Sequence, residues 1–121
     1  MTIREAAAVL GAEILQNDFE NKELLCVYTS DLLSDVMANA GSSGAKGGSP
    51  GAKGAVLITI QAHKNTVAVA TLVNISVIIV CNSRPVPDDM LEAAKNEGIA
   101  ILRTKENQYI VSGKLYGLIG S

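Results

Sequence analysis

The chain has 121 residues, 48% of them hydrophobic and 18% charged, with a formal net charge of −2. That length and composition predict one globular domain; they exclude a disordered protein and, with no basic stripe to grip phosphate backbones, a nucleic-acid binder. Aromatic residues make only 3%, so the core has to be built from Val, Ile, Leu and Ala.

Thr2 and Glu5 form a capping-box pattern that starts a helix over Ile3–Leu10, and Gly11 stops it. Arg4 and Glu5 within this segment argue against a signal peptide. Apolar runs such as Ile75–Cys81 fall far short of the ~20 residues needed to span a bilayer, so no membrane partner and a cytoplasmic location are expected. Ala12–Leu15 is a short strand candidate, and Leu24–Thr29 a firmer one after the polar turn Gln16–Glu23. Ser30 offers a cap for a helix over Asp31–Asn39, where Leu32, Leu33, Val36 and Met37 recur at helical spacing. Asp31 and Asp35 then project from one helix face. Such a pair can hold Mg²⁺ or share a proton, but without a third ligand, capping and solvation is the preferred reading.

Gly41–Gly54 breaks the composition with glycine, serine and two Gly-Ala-Lys-Gly copies, and predicts a mobile surface loop. It is not a phosphate-binding P-loop, because Lys46 and Lys53 follow Ala and precede Gly. Ala55–Ile60 reads as a buried strand, and Asn65 as the cap of a helix over Thr66–Val73. Ile75–Cys81 shows no sustained alternation, as in a strand covered on both faces. Pro87–Glu97 is the next helix, ended by Gly98; Ile99–Leu102 is a short strand, and Thr104 starts a last helix through Leu115. Strands alternating with helices from Leu24 onward predict a layered α/β domain. Its central sheet should be largely parallel, of about four to six strands flanked by helices.

The strand-to-helix corner within Val56–Ala70 gathers Thr59, Gln61, His63, Lys64 and Asn65, where open α/β sheets commonly place ligands. His63 is the only histidine, so a multi-histidine metal site is excluded and any catalytic triad would rest on this one imidazole. A capping or solvated role for it is preferred over ligand contact. Lys64, with the amide donors of the helix start, suits an anion. Arg84, after the buried strand, adds a guanidinium near the carboxyl edge of the sheet, with a plain surface turn as the alternative. Cys26 and Cys81 match no metal-ligand spacing and read as buried free thiols. No catalytic residue, metal or cofactor is assigned.

Ser30–Asn39 (SDLLSDVMAN), Leu57–Ala70 (LITIQAHKNTVAVA), Ile78–Leu102 (IIVCNSRPVPDDMLEAAKNEGIAIL) and the closing helix together resemble the DRTGG domain, over nearly the whole chain except Gly41–Gly54. Such domains accompany phosphotransacetylases and the regulatory regions of some CBS-containing pyrophosphatases, and are similar to the N-terminal domain of HPr kinase/phosphorylase. Some are stand-alone proteins encoded beside iron-only hydrogenase genes. The resemblance implies a regulatory or interaction module, usually dimeric, without catalysis of its own. The Asp-Arg pair that helps name the family should fall in the corner after the strand, where this chain reads Ala62-His63-Lys64-Asn65. The first reading is therefore a non-catalytic sensor, a homodimer that binds a small anionic or nucleotide-like effector near Thr59–Asn65, a partner metabolic enzyme, or both. A structural adaptor with no small ligand is the second. A phosphoryl- or acyl-transfer enzyme is disfavoured by the absence of a Walker motif, a triad or a metal cluster.

Overall fold

The computed structural model describes residues 1–40 and 54–120. The chain runs α1 (Ile3–Leu10), β1 (Glu13–Gln16), β2 (Cys26–Thr29), α2 (Leu33–Asn39), β3 (Ala55–Thr59), α3 (Lys64–Leu72), β4 (Ile75–Val80), α4 (Asp88–Glu97), β5 (Ala100–Arg103) and α5 (Gln108–Ile119). The mobile loop expected over Gly41–Gly54 lies outside the described residues, apart from Gly54.

The five strands form one sheet in the order β1-β5-β4-β3-β2. Strands β2 to β5 are mutually parallel, and β1 closes the β5 edge in the antiparallel sense. Each step from β2 to β5 moves one place in the same direction. Crossovers of one hand that advance in one direction deliver their helices to a single face. Accordingly Val36 of α2, Val67 and Ala70 of α3 and Met90 and Ala94 of α4 share a core with Leu57, Ile78, Val80 and Ile101. The opposite face is covered by α1 and α5, whose Ile3, Leu10, Val111 and Leu115 pack on Val56, Ile58, Val77, Ile79 and Leu102. Both faces being covered, every residue of β3 and β4 is buried. That is why neither strand alternates in sequence.

The start of α1 follows the capping box, with the Glu5 amide donating to Thr2 Oγ1 and the Thr2 amide to Glu5 Oε1. Accepting that backbone bond holds the Glu5 carboxyl below its ordinary range. Its contribution is present above the ordinary carboxylate pKa and is lost as the pH falls through the lowered one.

Several element boundaries differ from expectation for identifiable reasons. Strand β1 extends to Gln16, whose buried amide donates to Ile99 O at 2.8 Å and whose Oε1 accepts from the Asp18 amide at 2.7 Å. Helix α2 begins two residues later than Asp31: Ser30 Oγ accepts from the Leu32 amide, and Asp31 stays outside the helix. Pro87 is the N-cap of α4 and not its first turn. The last helix starts at Gln108, capped by Asn107. Thr104 cannot start it, because its amide donates to Val80 O in the sheet and its Oγ1 accepts from the Glu106 amide.

Cys26 and Cys81 are free and buried, as expected. Burial raises the pKa of both thiols, and for Cys81 burial together with the Asp31 charge pushes it up to about 11. Thiolate is the reactive form. Neither cysteine should therefore react with Ellman's reagent at neutral pH while the protein is folded, and both should react in denaturant; a fast-reacting thiol in the native state would contradict this packing.

Candidate functional site

The carboxyl ends of β2 to β5 deliver four loops to one edge of the sheet, and Asp31 ties three of the segments there together. Its Oδ1 accepts from Thr59 Oγ1 at 2.9 Å, from the Ile60 amide at 2.9 Å and from Gln108 Nε2 at 3.0 Å. One carboxylate oxygen thus fixes the loop after β2, the end of β3 and the start of α5. Thr59 is fully buried, and its hydroxyl also accepts from the Gln61 amide at 3.0 Å. Its side chain positions the corner from beneath.

Asp35 does not face Asp31. It accepts from Tyr28 Oη at 2.7 Å and Asn39 Nδ2 at 3.0 Å, and these bonds, Tyr28 first, hold its carboxyl below the usual range. The paired-carboxylate geometry considered for these residues does not form, because Asp31 is not helical. Among the described residues no group of three or more His, Cys, Asp or Glu side chains could hold a metal ion.

Helix α3 starts at Lys64, two residues earlier than expected, and its cap is His63 and not Asn65. His63 is extended at φ −147°, and its Nδ1 accepts from the Asn65 amide at 3.0 Å. An imidazole that accepts through Nδ1 carries its proton on Nε2, so the exposed nitrogen is a donor. The Thr66 amide donates to His63 O, and Thr66 Oγ1 to Gln61 O at 2.8 Å. These bonds lock the turn from Gln61 to Thr66 and display Gln61, His63, Lys64 and Asn65 on the surface.

Lys64 and Asn65 open onto a cavity of about 580 Å³ between α3 and α4, walled by Val67, Ala68, Thr71 and Leu72 and by Ala93, Asn96 and Glu97. Its lining is mostly apolar, with the Asn65 and Asn96 amides, the Thr71 hydroxyl, the Lys64 ammonium and the Glu97 carboxylate as its polar groups. Alanine at 68 and 93 leaves the gap between the helices. Asn96 was not singled out from sequence, since only the packing of α4 beside α3 brings it to this cavity; Thr71, two turns along α3 from Lys64, carried no signal of its own.

Arg84 stands apart from that cavity. It follows a tight turn in which the Arg84 amide donates to Cys81 O, with Asn82 and Ser83 both at positive φ, 60° and 49°. Two consecutive residues in that conformation form a type I′ turn, strained for a serine. The turn is held because the Asn82 amide donates to Glu106 O and the Ser83 amide to Thr104 O. Arg84 is exposed. No described helix is long and apolar enough to cross a membrane.

The family model described as HPr serine kinase N terminus matches residues 58–118. No curated protein matches the chain by sequence. Among solved structures, the chain is similar to the CBS and DRTGG domains of the regulatory region of the Clostridium perfringens pyrophosphatase, crystallised with its activator diadenosine tetraphosphate. The match has a TM-score of 0.67 at 15% identity over 93% of this chain. The chain spans 44% of the length of that structure. Its five-stranded, mostly parallel sheet with flanking helices is the DRTGG fold.

Proposed function

The chain belongs to the HPr serine kinase N-terminal family, and from that premise we propose that it is a non-catalytic regulatory module that senses a small anionic or nucleotide-like effector. The observation that carries the reading is the cavity between α3 and α4, entered beside Lys64 at the His63-capped helix start. A phosphate finds the Lys64 cation and the Asn65 side-chain amide, with Glu97, the last residue of α4, as the opposing charge, while a base or another flat apolar group fits between Ala68 and Ala93. The similar pyrophosphatase region, crystallised with a dinucleotide activator, makes an adenine nucleotide the first compound to try. Gln61 and His63 Nε2 stand next to Lys64 as further contacts. Arg84 serves only an effector long enough to cross the corner.

Regulation without catalysis agrees with the use of the only imidazole: His63 Nδ1 is committed to capping α3 and offers no base. The module acts as a homodimer in the cytoplasm, with a metabolic enzyme as its partner, a hydrogenase among the candidates. Thermal unfolding in the presence of adenine nucleotides, acetyl phosphate or inorganic phosphate tests the effector. A compound at about 100 times its Kd stabilises the folded state by roughly 2.7 kcal/mol. At least one of them should raise the Tm of the wild type, and Lys64→Ala should lose most of the rise. No shift from any of the three would remove these effectors and favour an adaptor without a small ligand.

A further inference from the structure

Helix α5 is apolar on its exposed side as well as on its buried one. Val111 and Leu115 face the sheet, but at about 100° per residue the side opposite them carries Tyr109, Gly113, Tyr116 and Gly117, with Ile110 alongside. Tyr109 is 83% exposed and Tyr116 67%. Lys114 is the only charged residue of the helix, and it lies on the flank. Between the tyrosines is an open hollow of about 580 Å³, lined by Tyr109, Ile110, Ser112, Gly113, Lys114 and Tyr116. A Cβ added at Gly113 or Gly117 would meet nothing within 4 Å. Two helix-disfavouring glycines thus serve no contact within the protomer.

We propose that this face of α5 is the homodimer interface, with a tyrosine of each copy seated in the hollow over Gly113 of the other. The inference rests on the dimer reading above. The occupant is a second copy because knob and hole lie on the same face of one helix, which is what a two-fold, isologous contact needs. Buried tyrosines are also favoured anchors of such contacts. The area is modest: two tyrosines at roughly 150 Å² each, with Ile110 and the glycine backbone, give about 400 Å² per copy. Two copies would bury about 800 Å², less than a standard interface and suited to a weak, reversible dimer.

Sedimentation velocity over a concentration series tests it, with Gly113→Leu and Tyr116→Ser as variants. The leucine fills the hollow from the solvent side and favours the helix, so Gly113→Leu should keep its circular dichroism spectrum and thermal stability. Wild type should dimerise within the series, below hundreds of micromolar, and each variant should dimerise at least about tenfold more weakly. If wild type dimerises and both variants keep its dissociation constant, the interface lies elsewhere and the dimer reading stands. If wild type stays monomeric at hundreds of micromolar, both fall.

Discussion

Replacing Asp31 with alanine should lower the free energy of unfolding by about 3 kcal/mol, measured by urea denaturation. The size follows from what Oδ1 does: it accepts from Thr59 Oγ1, the Ile60 amide and Gln108 Nε2. Hydrogen bonds to a charged acceptor contribute about 1.5–3 kcal/mol apiece, but they are not additive here. Asp31 is half-buried, so the Ile60 and Gln108 donors can turn to water once the carboxylate is gone. The Thr59 hydroxyl cannot, because its side chain is fully enclosed. Asp31→Asn keeps an acceptor oxygen at the same place without the charge, and should cost only about 1 kcal/mol. A loss under about 0.5 kcal/mol for Asp31→Ala would show that the carboxyl-edge loops hold without this hub.

Gly54→Ala should be at least as damaging, at about 3 kcal/mol or more, or should prevent accumulation of folded protein. Gly54 has φ +101°, a conformation open to glycine and closed to side chains. A Cβ there would run into the backbone carbonyl of Glu23. The backbone cannot shift to make room, since the Leu25 amide donates to Gly54 O at 2.8 Å and the Gly54 amide to Ser76 Oγ at 2.9 Å. Those bonds set the entry of β3 against β2 and β4. By contrast Gly113→Ala, where a Cβ meets nothing, should leave the protomer unharmed or stabilise it by up to ~1 kcal/mol. Equal losses at the two glycines would contradict the packing at Gly54.

The fold was legible wherever the signal was local. Thr2 with Glu5 marked α1, and Gly11 and Gly98 marked two helix ends at φ 63° and 67°. The unalternating run Ile75–Val80 marked a strand buried on both faces. What sequence missed depends on partners far along the chain. Asp31 looked helical because Ser30 precedes it and Leu32 and Leu33 follow, yet it is held by residues 28 to 77 positions away. Thr104 looked like a helix cap, but its amide belongs to the sheet through Val80. At the corner, the order of polar residues was readable and the identity of the cap was not: His63 and Asn65 can both cap a helix, and only the backbone path decided between them. The cavity itself was invisible, since it depends on Ala68 and Ala93 meeting across two helices.

The most direct test of the sensor reading is a ¹⁵N-labelled titration with an adenine nucleotide, following amide shifts residue by residue. Binding at the proposed site should move the amides of Gln61 to Asn65 together with those of Thr71 and Asn96, saturably, and Lys64→Ala should abolish the movement. Saturable shifts confined to another surface, or none at millimolar nucleotide, would contradict the assignment of this cavity as the effector site.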